Sequence, residues 1–243
     1  MPALQRTLFT PGGARRLPAQ RALDRALAAV GREQLFRFCE TRPHGPLYVL
    51  PTREFIQALA TRLRALAGRR GNILEVCAGD GFLTDSLRQA DSRLRVTATD
   101  SGRWERAAAR MTTAEGRAQG ASVSGLRLGP RVVRREAVAA ICALRPDVVL
   151  AAWLPPGKLF DRLVRAPCRF LVEIGADGGV SGQGEWGWRF AHAFEPELER
   201  LARSRLDARG DRRTRVTVYF GRRHPGFAEE KPSRGDWLRQ FKP

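Results

Sequence analysis

The sequence predicts an α/β fold, a doubly wound and mostly parallel sheet preceded by a helical extension. Three observations predict it. Short apolar runs alternate with helical stretches between residues 73 and 174, the pattern of a parallel sheet covered on both faces. The first run ends in Gly79-Asp80-Gly81, directly ahead of a helical stretch. Between residues 21 and 67 the apolar spacing is helical instead.

Taken in order, residues 1–20 carry Pro2, Pro11, Gly12, Gly13 and Pro18 and predict an irregular arm. Leu23, Leu27 and Val30 predict a helix, with Phe36 and Phe38 following Gly31. Pro43, His44, Gly45 and Pro46 break the chain. Thr52 is placed to cap a helix whose stripe is Phe55, Ile56, Leu59, Leu63 and Leu66. Gly68-Arg69-Arg70-Gly71 supply the glycine and cations that suit its C-terminus. Strands are predicted at 73–77, 94–99, from Val132 and Val133, at 148–153 and at 170–174. Helices fall between them at 83–90, 103–111, 137–144 and 158–164. Leu198, Leu201 and Leu206 make a helix face, and Val216, Val218 and Phe220 alternate as a strand. The organisation read from this is a basic arm and helix over 1–46, an α/β domain over 47–223 and a charged tail over 224–243.

Composition excludes several classes. A 43% hydrophobic content and a mean hydropathy of −0.35 describe a soluble globular chain. The longest apolar stretch, 148–156, is far too short for a membrane span, and no hydrophobic leader follows Met1, so a cytosolic protein is expected. Cys39, Cys77, Cys142 and Cys168 form no CxxC, and His44, His192 and His224 do not cluster, so no metal site is expected. The net charge of +18 is nearly all arginine, since Lys158, Lys231 and Lys242 are the only lysines. Half of it, +9, sits in residues 1–70. Such a field attracts polyanions, RNA among them, unless it is only a solvated face.

The glycine turn carries the chemistry. Glycines between a strand and a helix let a ligand approach the backbone, and the helix start offers free N–H groups. Asp100 ends the second strand, where a carboxylate accepts ribose hydroxyls in doubly wound sheets. A dinucleotide fingerprint would need a third glycine where Thr84 stands, and a purely structural glycine turn is the other alternative.

With these residues placed, the chain resembles the class I S-adenosylmethionine-dependent methyltransferases, whose sheet is Rossmann-like and seven-stranded. The resemblance spans residues 47–223. Glu75-x-Cys77-x-Gly79-x-Gly81 looks like the acidic and glycine signature of that family, with Cys77 and Ala78 in place of more usual residues. The resemblance implies S-adenosyl-L-methionine as cofactor, held by Glu75, Cys77, Gly79, Gly81 and Phe82, with Asp100 and Ser101 at the ribose and Glu136 and Ala137 at the adenine. It also implies that Leu206-Asp207 and residues 215–220 form a closing hairpin of strands.

Ala152-Trp153-Leu154-Pro155-Pro156-Gly157 falls at the family's active-site loop. In amino-methylating relatives an Asn or Asp precedes the Pro-Pro pair and an aromatic follows it. Here Leu154 and Gly157 hold those places, which speaks against nucleobase amines as acceptors. Trp153 either packs on a planar or apolar acceptor or closes the core at a strand end. The candidate catalytic set is Trp153 and Pro155 for shape, and Glu173 and His192, with Glu185 beside them, as proton acceptors. The glycine-rich segment 175–188, bearing Trp186 and Trp188, is either an acceptor lid or a plain connection. Tyr48 and Thr52 cover the methionine end of the cofactor, or serve packing and capping. The acceptor is a small molecule, with the extension roofing the pocket, or RNA tracked by the basic arm. A non-catalytic binding or assembly subunit is the reading from another class.

Overall fold

A computed structural model of the chain describes residues 2–40, 45–103, 127–155, 157–176, 181–182 and 189–230. Nearly all of the helix expected at 103–111 lies outside these residues, as do His44, Pro156, Glu185, Trp186, Trp188 and most of the glycine-rich segment.

The described residues form one sheet. β1 (Ile73–Val76) lies inside it, parallel to β2 (Val96–Asp100) on one side and β4 (Val148–Ala152), the central strand, on the other. β3 (Val133–Arg134) continues beyond β2, and β5 (Phe170–Ala176) pairs in parallel with β4. β7 (Thr214–Phe220) runs antiparallel to β5, and β6 (His192–Phe194) runs antiparallel to β7. The order is β3-β2-β1-β4-β5-β7-β6 across seven strands, the reversed-edge sheet that the resemblance implies. Helices α5 (Phe82–Ala90), α6 (Ala137–Leu144) and α7 (Leu159–Val164) alternate with these strands, and α8 (Pro196–Leu201) precedes β7.

Alternating strand residues feed two cores. Val96, Val148, Val172 and Val218 face α4 (Arg53–Ala67), α5 and α8. Leu74, Val149, Leu171 and Tyr219 face α6 and α7. That is why the strands read as unbroken apolar runs: both faces are covered. Each fully buried Leu, Ile or Val stabilises by about 1.5–3 kcal/mol over exposure. Thr52 caps α4 as its position suggests, its hydroxyl accepting from the Phe55 N–H at 3.2 Å.

Two expectations need correction. The arm is not wholly irregular, because α1 (Pro2–Leu8) is helical. Proline fits the first helical turn, and Leu4 and Leu8, one turn apart, are buried in a third core with Leu23 and Leu27 of α2 (Gln20–Ala28). α3 (Arg32–Glu40) adds Leu35 and Phe38 to that core. Leu206-Asp207 is not a strand either; the edge strand is β6, earlier in the chain. Asp207 is buried in a turn, where its carboxylate accepts from the Ser204 and Arg213 N–H groups at 2.6 Å each and from the Thr214 hydroxyl. A carboxylate so engaged fixes a turn and cannot lie flat in a ladder. Leu206 likewise lies beyond α8, which ends at Leu201.

This turn anchors the extension. Leu50 N–H donates to Arg203 O at 2.8 Å, and Arg205 N–H to Tyr48 O at 3.1 Å. The buried Arg203 side chain reaches Asp24 of α2 at 2.7 Å. At the other end of the chain, residues 228–230 pair with 189–191 through Ala191 N–H to Ala228 O and Glu230 N–H to Arg189 O.

Candidate functional site

The site lies at the carboxyl ends of β1, β2 and β4, where doubly wound sheets hold ligands. β1 leaves the sheet through Cys77, whose φ of 56° is left-handed, followed by Gly79 at 55° and Gly81 at 75°. Of the two turn glycines, Gly79 faces open space, for a Cβ built there meets no atom within 4 Å. At Gly81 a Cβ would stand 2.8 Å from Val132, so that glycine serves close packing. Asp100, at the end of β2, braces the turn. Its two carboxylate oxygens accept from Gly79 N–H at 3.1 Å and Gly102 N–H at 2.8 Å. From the β3 side, Gly129 N–H donates to Gly79 O at 3.2 Å.

The candidate cofactor residues converge here. Burial pushes the Cys77 thiol up to about 12, and the charges of Asp100, Glu136 and Glu75 add to the shift. Glu75 is buried beneath the turn and accepts from the Thr84 hydroxyl. Burial raises its carboxyl to about 7 against that hydrogen bond, with Asp80 raising it further. Glu136 is exposed at the start of α6 and Ala137 is buried behind it. Ser101 follows Asp100 and accepts from Arg103 N–H at 3.2 Å.

One contact carried no sequence signal. Arg15 of the arm donates to Asp80 at 2.7 Å, and its guanidinium lies 3.9 Å from the centre of the Phe82 ring. The arm turns back at residues 10–14, where Thr10 N–H donates to Ala14 O, and pairs Phe9 with Arg15. A Pro-Gly-Gly turn forecasts the reversal, but nothing in the order of residues couples position 15 to position 80.

At the end of β4, Trp153 turns out of the strand with φ 59° while its N–H donates to Ile174 O at 2.7 Å. Its ring is 8% exposed and stacked on Tyr48, centres 6.1 Å apart, which is the core alternative of the two readings. Arg205 lies over Tyr48 and Phe36 and pairs with Glu40. Burial pushes the Tyr48 phenol up, with Arg205 opposing. Leu154 is buried and its carbonyl accepts from Gly182 N–H at 2.9 Å, so Gly182 lies against the loop that Pro155 continues. Glu173 is fully buried on β5, beside the Ile174 that holds Trp153.

His192 is not brought to this group. It sits on β6 opposite Tyr219, level with Leu171 near the start of β5, and its Nδ1 lies 2.7 Å from Phe190 O. Among the described residues no group of His, Cys, Asp and Glu is placed to hold a metal ion, and no helix is long and apolar enough to cross a membrane.

No protein-family model matches the chain, and no curated protein matches it. It is similar to solved structures at low identity. The 23S rRNA methyltransferase ErmE is 19% identical over 71% of this chain and 69% of its own, with a TM-score of 0.39. TrmK of M. capricolum, in complex with S-adenosylhomocysteine, is 9% identical over 72% and 71%, with a TM-score of 0.38. A mutant of MtNAS in complex with S-adenosylmethionine is 16% identical over 69% and 62%, with a TM-score of 0.41.

Proposed function

We propose that the chain binds S-adenosyl-L-methionine at the glycine turn and transfers its methyl group to an acceptor at the ends of β4 and β5. The supporting observation is the cradle at Gly79: a left-handed backbone facing open space beside the Asp100 carboxylate. Those residues fit the group. Gly79 permits close approach, and each Asp100 oxygen keeps a lone pair for a ribose hydroxyl. Glu75, Cys77, Gly81, Phe82 and Ser101 shape the same turn, while Glu136 and Ala137 border the adenine end.

When bound, the sulfonium supplies an electrophilic methyl carbon. This chain's part is to align the acceptor with it and exclude water, and alignment alone contributes up to about 7–11 kcal/mol. Pro155 borders the acceptor side, and Trp153, buried and stacked on Tyr48, backs it from the core. Glu173 is the carboxylate of the candidate set on the adjoining strand; it is fully buried, so it would take the acceptor's proton only where the bound acceptor reaches it. His192 has no part in this assignment. The buried Leu154, whose carbonyl is occupied, favours an acceptor other than an amine gripped by a polar loop. A small-molecule acceptor, roofed by the extension, is the first reading. RNA is the second, favoured by the arginines of the arm.

Equilibrium dialysis with labelled S-adenosylmethionine tests the cradle. Gly79→Ala puts a methyl group where the cofactor would lie, and Gly210→Ala, at φ 82° and also with open space beside it, imposes similar backbone strain elsewhere. Binding lost in the first variant and kept in the second supports the proposal. Equal affinity in both contradicts it.

A further inference from the structure

We propose that a cleft between α1, the arm and the first turns of α2 and α4 is a phosphate-binding site. Its ligand is a phosphate group carried by an RNA backbone or by a phosphorylated small molecule.

The cleft is open to solvent and offers about 370 Å3, within the roughly 300–1,000 Å3 usual for ligand sites. Three parts of the chain bring arginines to it: Arg6 from α1, Arg16 from the arm and Arg53 from the first position of α4. All three are exposed, and none forms an ion pair among the described residues. Four other arginines are committed to carboxylates. Arg15 pairs with Asp80, Arg62 with Glu195, Arg203 with Asp24 and Arg205 with Glu40.

No carboxylate among the described residues lines the cleft. The nearest acid in sequence, Glu54, accepts from the Gln20 N–H at 2.9 Å, and Asp24 is engaged by Arg203 and Gln20. Three like charges facing one space repel each other, and a phosphate relieves that repulsion while accepting several charge-assisted hydrogen bonds. The starts of α2 and α4 do not add to it, because Gln20 N–H donates to Glu54, Arg53 N–H to Pro18 O and Phe55 N–H to Thr52, so the charge comes from the arginines alone. The Thr7 hydroxyl is spent on Ala3 O, so recognition falls to the guanidinium groups.

The position matters as well. Arg15 and Arg16 are adjacent, yet Arg15 lies on the glycine turn and Arg16 lines the cleft. A phosphate held there lies one residue along the arm from the contact with the glycine turn proposed to bind the cofactor. The inference does not depend on that site, because phosphate binding is measured without cofactor.

The test uses the full chain and two probes: a fluorescein-labelled 20-nucleotide single-stranded RNA by anisotropy, and inorganic pyrophosphate by calorimetry. An Arg6→Gln, Arg16→Gln, Arg53→Gln triple variant is compared with an Arg69→Gln, Arg70→Gln, Arg162→Gln triple that removes equal charge elsewhere. All six side chains are exposed, so both proteins keep their fold. The expected result is a loss of about tenfold or more in the first triple and at most a few-fold in the second. For RNA, the salt slope also falls by about 1 per phosphate contact removed. Loss confined to RNA identifies a nucleic-acid backbone, and loss confined to pyrophosphate a phosphorylated small molecule. Equal losses in both triples, or no binding of either probe to the natural chain, overturn the proposal.

Discussion

Arg15 and Asp80 are hydrogen-bonded at 2.7 Å across 65 positions of sequence, and the same guanidinium rests 3.9 Å from the centre of the Phe82 ring. The contact ties the arm to the turn proposed to hold the cofactor. Asp80 in turn accepts from the Phe82 N–H at 3.1 Å, so the arm grips the first residue of α5 through both its ring and its backbone.

Arg15→Ala is expected to free the arm with little global cost. The ion pair is partly exposed and contributes about 0–1 kcal/mol, with about as much from the cation–π contact. That corresponds to a fall in Tm of roughly 2–4 °C for each 1 kcal/mol. Hydrogen exchange should rise sharply at residues 9–16 and at Phe82 while the sheet stays protected. Unchanged protection of the arm would show that Arg15 does not hold it.

Glu75 should make stability fall with pH. Burial raises its folded value to about 7 from 4.5, so the folded chain keeps a proton that the unfolded chain gives up sooner. Its contribution is full below pH 4.5 and is lost as pH rises through 7, up to about 3 kcal/mol. Glu75→Gln removes the titration and should be more stable than the natural chain at pH 8 by urea denaturation. Equal pH slopes between 5 and 8 would contradict this.

Thiol chemistry should single out Cys142. It is exposed, whereas Cys39 and Cys168 are buried and the Cys77 and Cys168 thiols are pushed up to about 12 by burial first. A disulfide reagent at pH 7.5 should label one cysteine rapidly, and Cys142→Ser should abolish that phase. Rapid labelling of Cys77 would mean that the turn opens readily.

Glu40 and Arg205 should be strongly coupled. Their side chains are 13% and 12% exposed, and Arg205 also covers Tyr48 and Phe36. Removing either partner leaves a poorly solvated charge, with a cost approaching about 3 kcal/mol. A double-mutant cycle of Glu40→Ala and Arg205→Ala should give at least about 1 kcal/mol of coupling. Additive losses would mean that this ion pair contributes nothing to holding the extension.

What the sequence made legible was local. Thr52 before an apolar stripe, glycines after a strand and the unbroken run at 148–152 obey rules that act within one turn or one pleat, and they locate α4, the glycine turn and the central strands. What it hid was long-range. β6 has only three residues, His192–Phe194, and exists because β7 is there to pair with it. Asp207 looks like any polar residue after a leucine until Ser204, Arg213 and Thr214 donate to it. Tyr48 and Trp153, 105 positions apart, meet only once Arg203 and Arg205 draw the extension across the sheet end. His192 was drawn into the candidate set by its chemistry alone, and its place on an edge strand depends on pairing that no spacing reveals.

Calorimetric titration with S-adenosylmethionine and S-adenosylhomocysteine, on the natural chain and on Asp100→Ala, tests the central claim most directly. Because Asp100 also accepts from Gly79 and Gly102, thermal melts must show that the variant remains folded. Binding in the micromolar range to the natural chain, lost in a folded Asp100→Ala, is the predicted result. No binding to the natural chain, or undiminished binding to the variant, would contradict the assignment of the glycine turn and Asp100 as the cofactor site.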